Sequence, residues 1–291
     1  MKVGDYVVRK SYKKDIVFKI IDIREDEDIG VYYVLKGLSI RIIADSKAED
    51  LEEVDGDFEA NKDKLFNARV NGAIKSAILQ RTDGEPLKKE KTKSPKIEKK
   101  DELIFGRPGK ILHIDGDREY LDNCLKVYKQ LKLDAEGRAI PEKNQAKEIL
   151  SIVKEVKPDI IVLTGHDGMY KNANDFLDVN NYRNSKYFID AVRVLREYNS
   201  SYDELVIFAG ACQSCYEAIL DAGANYASSP SRVLIHCLDP VFICEKVAYT
   251  RIDKVVSITD VIENTITGIK GIGGLQTRGK YREGYPKSPY V

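Results

Sequence analysis

Two apolar runs, each closed by a residue of catalytic type, constrain this chain more than any other feature. Asp159-Ile160-Ile161-Val162-Leu163-Thr164-Gly165 leads into His166-Asp167-Gly168, and Leu205-Val206-Ile207-Phe208-Ala209-Gly210-Ala211 leads into Cys212. Short uninterrupted apolar runs of this kind read as strands buried on both faces of a parallel sheet. Open parallel sheets bind ligands beyond the carboxyl ends of their strands. The runs therefore predict an α/β fold that brings an imidazole and a thiol to one edge, with Cys212 46 residues after His166.

The surrounding sequence supports that class. Lys110 to Ile114 reads as a strand ending at Asp115-Gly116-Asp117. Arg118 to Leu131 carries Leu121, Leu125 and Tyr128 on one helical face. A weak strand follows near Lys132 to Ile140. Pro141-Glu142 opens a helix running to Val156, where proline suits the first turn. Ser185 to Tyr198 is a helix with Phe188, Ile189, Val192 and Leu195 inward, and Cys215 to Ala222 is a shorter one. Val233 to Cys237 reads as a strand, and Val255 to Thr267 as a last strand–helix unit. The expectation is a doubly wound, mostly parallel sheet with helices on both faces, spanning residues 103–291.

The first 55 residues look different. Tyr6–Val8, Val17–Ile21, Val31–Leu35 and Ile40–Ala44 are short β-branched and aromatic runs separated by turn signals at Asp26-Glu27-Asp28, Gly30 and Gly37. They suit a small SH3-like barrel. Residues 56–102 hold a helical stretch (Asp57 to Leu79) and then a lysine-rich segment with Pro86 and Pro95 and almost nothing apolar. Such a segment cannot bury enough surface to offset its ordering entropy, so it reads as a flexible linker. Glu85, Glu90, Glu98 and Asp101 dilute its charge, which argues against a nucleic-acid tail.

Formal net charge is zero, so no global field draws the chain to nucleic acid or an anionic membrane. No apolar run is long enough to span a bilayer, and Met1-Lys2-Val3-Gly4-Asp5 lacks a signal-peptide core. A cytoplasmic protein is expected. Five cysteines form an odd set that favours reduced thiols.

Imidazole beside thiol favours a thiolate nucleophile. His166 would act as base and then as acid, with no metal or organic cofactor. The oxyanion would be held by backbone N–H groups: that of Cys212 and one from the turn after His166, either Asp167 or Gly168. Rival readings exist. His236 and His113 lie inside apolar runs and read as core residues. Cys212-Gln213-Ser214-Cys215 could be a redox pair, or with Cys237, Cys244 and His236 a metal site, but Cys237 and Cys244 are too widely spaced for a tight ligand pair. Gly271-Ile272-Gly273-Gly274 lacks the Lys-Ser/Thr of a phosphate loop and reads as a turn or cleft wall.

The order strand–His, then strand–Ala-Cys, resembles the caspase, gingipain and clostripain clan of cysteine peptidases (clan CD), although this chain has Asp167 between His166 and the usual glycine, Gly168. The barrel-like opening, the lysine-rich tether, Gly165-His166-Asp167-Gly168 and Gly210-Ala211-Cys212-Gln213-Ser214-Cys215 resemble the YabG family of sporulation peptidases over nearly the whole chain. The resemblance implies a caspase-like fold and a mother-cell cysteine endopeptidase acting on spore coat and cortex-associated proteins. It also implies cleavage after Arg and self-processing, for which Arg81 and Arg107 flank the tether. Arg preference needs a carboxylate in the pocket for the residue before the cut. In gingipain relatives this lies at the end of the first strand of the sheet. Asp117, and second Asp115, occupy that place here; either could instead cap the following helix. The alternative from another class is a non-enzymatic spore-coat or nucleic-acid adaptor using the barrel and tether.

Overall fold

Alternating strands and amphipathic helices force a layered arrangement, because each sheet face and each helix stripe must be covered. The computed structural model describes residues 1–26, 30–54, 68, 70–81, 104–288 and 290. The chain opens with strands β1 (Tyr6–Arg9), β2 (Val17–Asp26), β3 (Gly30–Gly37), β4 (Ile43–Ser46) and β5 (Leu51–Glu53). They form an antiparallel sheet in the order β4-β3-β2-β1-β5, closed over Val7, Phe18, Ile20, Leu35 and Leu51. β4 and β5 are its two edges among the described residues. One difference from the sequence reading concerns Ile40 to Ala44. Only β4 from Ile43 onward pairs with β3. Ile40, Arg41 and Ile42 leave the sheet as a hairpin loop, despite their strand-like composition.

Helix α1 (70–81) packs Val70, Ile74 and Ala77 into the main core. Its last residue, Arg81, pairs with Glu245 at 2.5 Å and donates to Leu131 O at 3.1 Å. The lysine-rich linker lies wholly outside the described residues. Then come β6 (Phe105–Arg107), β7 (Ile111–Asp115), α2 (Arg118–Gln130), β8 (Ala135–Ala139), α3 (Glu142–Val156), β9 (Ile160–Thr164), α4 (Ser185–Tyr198), β10 (Val206–Ala209), α5 (Tyr216–Asp221), β11 (Tyr226–Ser228), α6 (Asp239–Tyr249), β12 (Val255–Val256), α7 (Ile258–Glu263), β13 (Ile272–Gly274), β14 (Thr277–Arg278) and β15 (Arg282–Gly284). The central six-stranded sheet has the order β13-β11-β10-β9-β7-β8, parallel except for the β11–β13 pair.

One face of this sheet is covered by α1, α2 and α6, the other by α3, α4 and α5. The chain steps from β7 outward to β8 and then back past β7 to β9 and β10. The crevice where a ligand would sit is therefore fixed at the carboxyl ends of β7, β9 and β10. Two sequence readings fail here. Val233 to Cys237 makes no strand, only an isolated antiparallel bridge from His236 to Ile40. Gly271 to Gly274 is not a loose turn but contains the edge strand β13. A Cβ on Gly273 would come within 2.5 Å of the Tyr216 hydroxyl, so this close approach requires glycine. No helix among the described residues is long and apolar enough to cross a membrane.

Candidate active site

Strand register sets the site. Leu163 on β9 and Ala209 on β10 are parallel partners. His166 and Cys212 each follow three residues later in the chain, past the ends of neighbouring strands that lie about 4.8 Å apart. Cys212 follows a sharp turn with φ of +110° at Gly210, and Gln213 beyond it has φ of +56°. A left-handed residue that is not glycine costs of order 1–3 kcal/mol, a type of strain that gathers at functional turns.

Cys212 is 1% exposed and its Sγ accepts from Ile235 N–H at 3.2 Å. Burial pushes the thiol pKa up to about 11, against the opposing pull of the Ile235 and Arg41 N–H groups and the Arg41 charge. The resting side chain is thus a protonated thiol. Burial also lowers the His166 pKa, with Asp117 and Glu142 pulling the other way and Arg41 adding to the fall. His166 Nε2 is buried without a hydrogen-bond partner, and no hydrogen bond joins the ring to Cys212. Because only the thiolate reacts and its fraction rises about tenfold per pH unit below the pKa, alkylation of Cys212 by iodoacetamide should rise about tenfold per pH unit from pH 7 and level off near 11. Peptide mapping of the labelled protein across that range checks this; a plateau below pH 8 would contradict it.

Several residues hold His166 in place that sequence reasoning did not find. Glu142 Oε1 accepts from the His166 amide at 2.6 Å and lies 3.9 Å from its Nδ1. Room for this carboxylate exists only because Gly116 and Gly165 lack side chains: a Cβ there would come within 2.3 and 2.1 Å of Glu142 Oε1. Asn184 Nδ2 donates to His166 O at 2.7 Å, and the Tyr120 ring lies 5.7 Å from the imidazole, centroid to centroid. Pro141-Glu142 was legible as a helix start, but its reach across to His166 depends on the fold.

Asp167 and Gly168 play different parts. The buried Asp167 carboxylate accepts from the N–H of Gly168 and of Asn184, both at 2.8 Å, from Ser214 Oγ at 2.9 Å and from Ser185 Oγ. It ties the turn after His166 to the turn after Cys212 and to the start of α4. Burial raises its pKa, while these donors oppose the rise. The Gly168 N–H is thereby occupied. No acceptor among the described residues takes the N–H of Asp167 or of Cys212.

The two carboxylates after β7 are also distinct. Asp117 caps α2, accepting from Glu119 N at 2.9 Å and Tyr120 N at 3.4 Å, and pairs with Lys36 at 2.7 Å. Its Oδ2 lies 3.7 Å from His166 Nε2. Asp115 is fully buried and forms an ion pair with Arg41, which is also fully buried. Burial alone would raise the Asp115 pKa, but the Arg41 guanidinium and His113 outweigh it and hold the carboxyl well below the usual range. Thr164 Oγ1 and the Asp117 N–H also donate to Asp115, each at 2.9 Å. Arg41 reaches Cys237 O at 3.2 Å and lies 5.1 Å from the Tyr120 ring centroid. A guanidinium thus sits on Asp115, while Asp117, the residue favoured from sequence, is engaged by a helix cap and a lysine.

The rival residues are placed elsewhere. Cys215 Sγ lies against Phe176 O and Leu177 O, not toward Cys212. His113 is bonded to Tyr128 Oη at 3.1 Å and to Thr164 Oγ1 at 3.0 Å inside the core. His236 Nδ1 accepts from Leu238 N at 3.1 Å. Cys244 lies 3.6 Å from the Tyr128 hydroxyl, and all five cysteines are buried and free. Among the described residues no three of His, Cys, Asp or Glu gather within metal-binding reach.

Comparison with known proteins covers nearly the whole chain. The family model described as YabG peptidase U57 matches residues 2–286. A protein described as sporulation-specific protease YabG, from Bacillus subtilis (strain 168), is 41% identical over 286 residues, covering 98% of each chain.

Proposed function

Because the chain belongs to the YabG family of peptidases, U57, we propose that this sporulation peptidase is a cysteine endopeptidase that cuts after Arg, with Cys212 as nucleophile and His166 as its base. The observation that carries the reading is the matched position of the two side chains past a register pair, beside a buried carboxylate that already holds a guanidinium. In the reaction His166 takes the Cys212 proton, and the thiolate attacks the carbonyl carbon of the substrate arginine itself. The electron pair moves to oxygen, which the free N–H groups of Cys212 and Asp167 stabilise. As the C–N bond breaks, the imidazolium protonates the leaving amine. Water, deprotonated by the same ring, then releases the acid from the thioester.

Asp115 is the carboxylate that recognises the substrate arginine in this account. A buried anion with a fixed partner geometry favours a planar guanidinium. The natural substrates are read from the family as proteins of the spore coat and cortex, cut in the mother cell, with the chain itself as a further substrate. A reporter series tests the specificity. Purified protein should cleave an Arg reporter at least about 30-fold faster than the neutral isostere citrulline, since truncating one half of a buried charge pair costs roughly 2–5 kcal/mol. Equal kcat/KM for the two peptides, or turnover that survives full alkylation of Cys212, would refute it.

A further inference from the structure

The fully buried ion pair between Arg41 and Asp115 joins residues 74 positions apart, one of them on a hairpin loop of the N-terminal sheet. That loop, Leu38 to Arg41, connects β3 to β4. It is closed at its base by the Lys36–Ile43 pair and by Gly37 N–H donating to Ile42 O at 2.9 Å. Gly37 makes the bend possible, because a Cβ there would lie 2.4 Å from Ile40 O. The loop enters the cleft at the carboxyl ends of β7 and β9. Ile40 forms an antiparallel bridge with His236, and Cys237 N–H donates to Ser39 O at 2.8 Å. The single Tyr120 hydroxyl proton is shared between Gly37 O and, at 2.8 Å, Ile40 O.

This is how a peptide binds by strand addition: backbone pairing along one edge, with one side chain filling a pocket. The pocket residue is an arginine, its partner is Asp115, and its N–H and charge both act on Cys212. The loop borders a groove of about 980 Å³ lined by Leu38, Ser39 and Ile40 from the loop itself and by Leu234, His236 and Leu238 beside it. Beyond Arg41 it turns away: Ile42 N–H donates back to Ile40 O at 2.8 Å, a three-residue turn centred on Arg41. The bond after Arg41 is thus not offered in the extended form that attack requires.

We propose that the loop Leu38–Arg41 is a built-in competitor that fills the arginine pocket and keeps the chain latent until a substrate or partner displaces it. The proposal rests on the cysteine-peptidase reading of Cys212 and His166.

The test uses the full chain and compares wild type with Arg41→Gln and Arg41→Lys. Two rates are read: kcat/KM for an Arg reporter, and the rate of Cys212 alkylation by iodoacetamide, mapped by mass spectrometry. Arg41→Gln should raise kcat/KM by about tenfold or more, with KM for the reporter falling; it should also speed alkylation, because access to the buried sulfur outweighs the lost charge that favours the thiolate, and Arg41→Lys should lie between. A folded Arg41→Gln protein with wild-type rates would overturn the proposal and leave Arg41 a structural bolt. Should Arg41→Gln fail to fold, Tyr120→Phe carries the test alone. It frees both loop ends while sparing the ion pair and should speed alkylation several-fold; an unchanged rate overturns the proposal. Alkylation needs no turnover, so this failure is distinct from failure of the peptidase reading, in which Cys212→Ala would retain wild-type hydrolysis.

Discussion

Cys212→Ala should leave a folded protein whose hydrolysis of an Arg reporter is reduced by at least about 10⁴-fold. Alanine removes the only atom at this position that can form the acyl intermediate, so what remains is catalysis by substrate positioning and backbone donors alone. The substitution is mild for the fold. The sulfur accepts one N–H, from Ile235 at 3.2 Å, and the surrounding turn is held by other groups. Ala211 N–H donates to Ser214 Oγ at 2.9 Å, and Gln213 N–H donates to Ser229 Oγ at 3.0 Å. His166→Ala should cost about 10²–10⁴-fold, the usual worth of a positioned general base. The double variant should be no worse than Cys212→Ala, because groups that act as one unit do not add. Steady-state assays with thermal unfolding as a folding control decide this. Cys212→Ala protein that turns over normally ends the account.

Asp115→Asn is expected to act on stability and specificity together. It leaves the Arg41 guanidinium, which is fully buried, without an anion. Breaking a buried pair by neutralising one partner costs roughly 3–5 kcal/mol, a large share of a typical stability of about 5–15 kcal/mol. The folded-state pKa of Asp115 is depressed, so its contribution is present above the ordinary carboxylate value of 3.8 and is lost as pH falls below it. Wild type should therefore lose the advantage over Asp115→Asn in acid below about pH 4, and retain it at neutral pH. Neutralising both partners, Asp115→Asn with Arg41→Gln, should recover much of the stability, because no unpaired charge stays buried. It should not recover Arg preference. Thermal unfolding of the three variants and the ratio of Arg to citrulline turnover read the two effects separately. A single variant as stable as wild type and still selective for Arg would contradict the assignment.

Much of this architecture follows from local sequence. β7, β9 and β10 are legible because strands buried on both faces need continuous apolar runs. Helices α2, α3 and α4 are legible because each covers one face of the sheet and shows a clear apolar stripe. Helix α6 is not: Pro240 to Glu245 and then Val247 and Ala248 are buried all round, so no amphipathic period marks it. Ile40 to Ile42 reads as strand because β-branched residues favour strands in general, while here tertiary contacts draw these residues into the cleft. His166 and Cys212 stand out as polar residues at strand ends. Their supports, Glu142, Asn184 and Ser214, come from distant segments and have no local signature. The pairing of Arg41 with Asp115 is likewise a product of topology. Spacing could point to Asp115 and Asp117 as a pair but could not separate a helix cap from a guanidinium site.

The central claim is that Cys212 is the nucleophile reached by an arginine-directed substrate. A peptide ending in Arg and carrying a thiol-reactive ketone tests it most directly, by intact mass and peptide mapping after incubation with the full chain. The account predicts a single adduct on Cys212, slowed when His166 is alanine and suppressed when Asp115 is asparagine. An adduct on another cysteine, or continued hydrolysis by protein fully modified at Cys212, would contradict it.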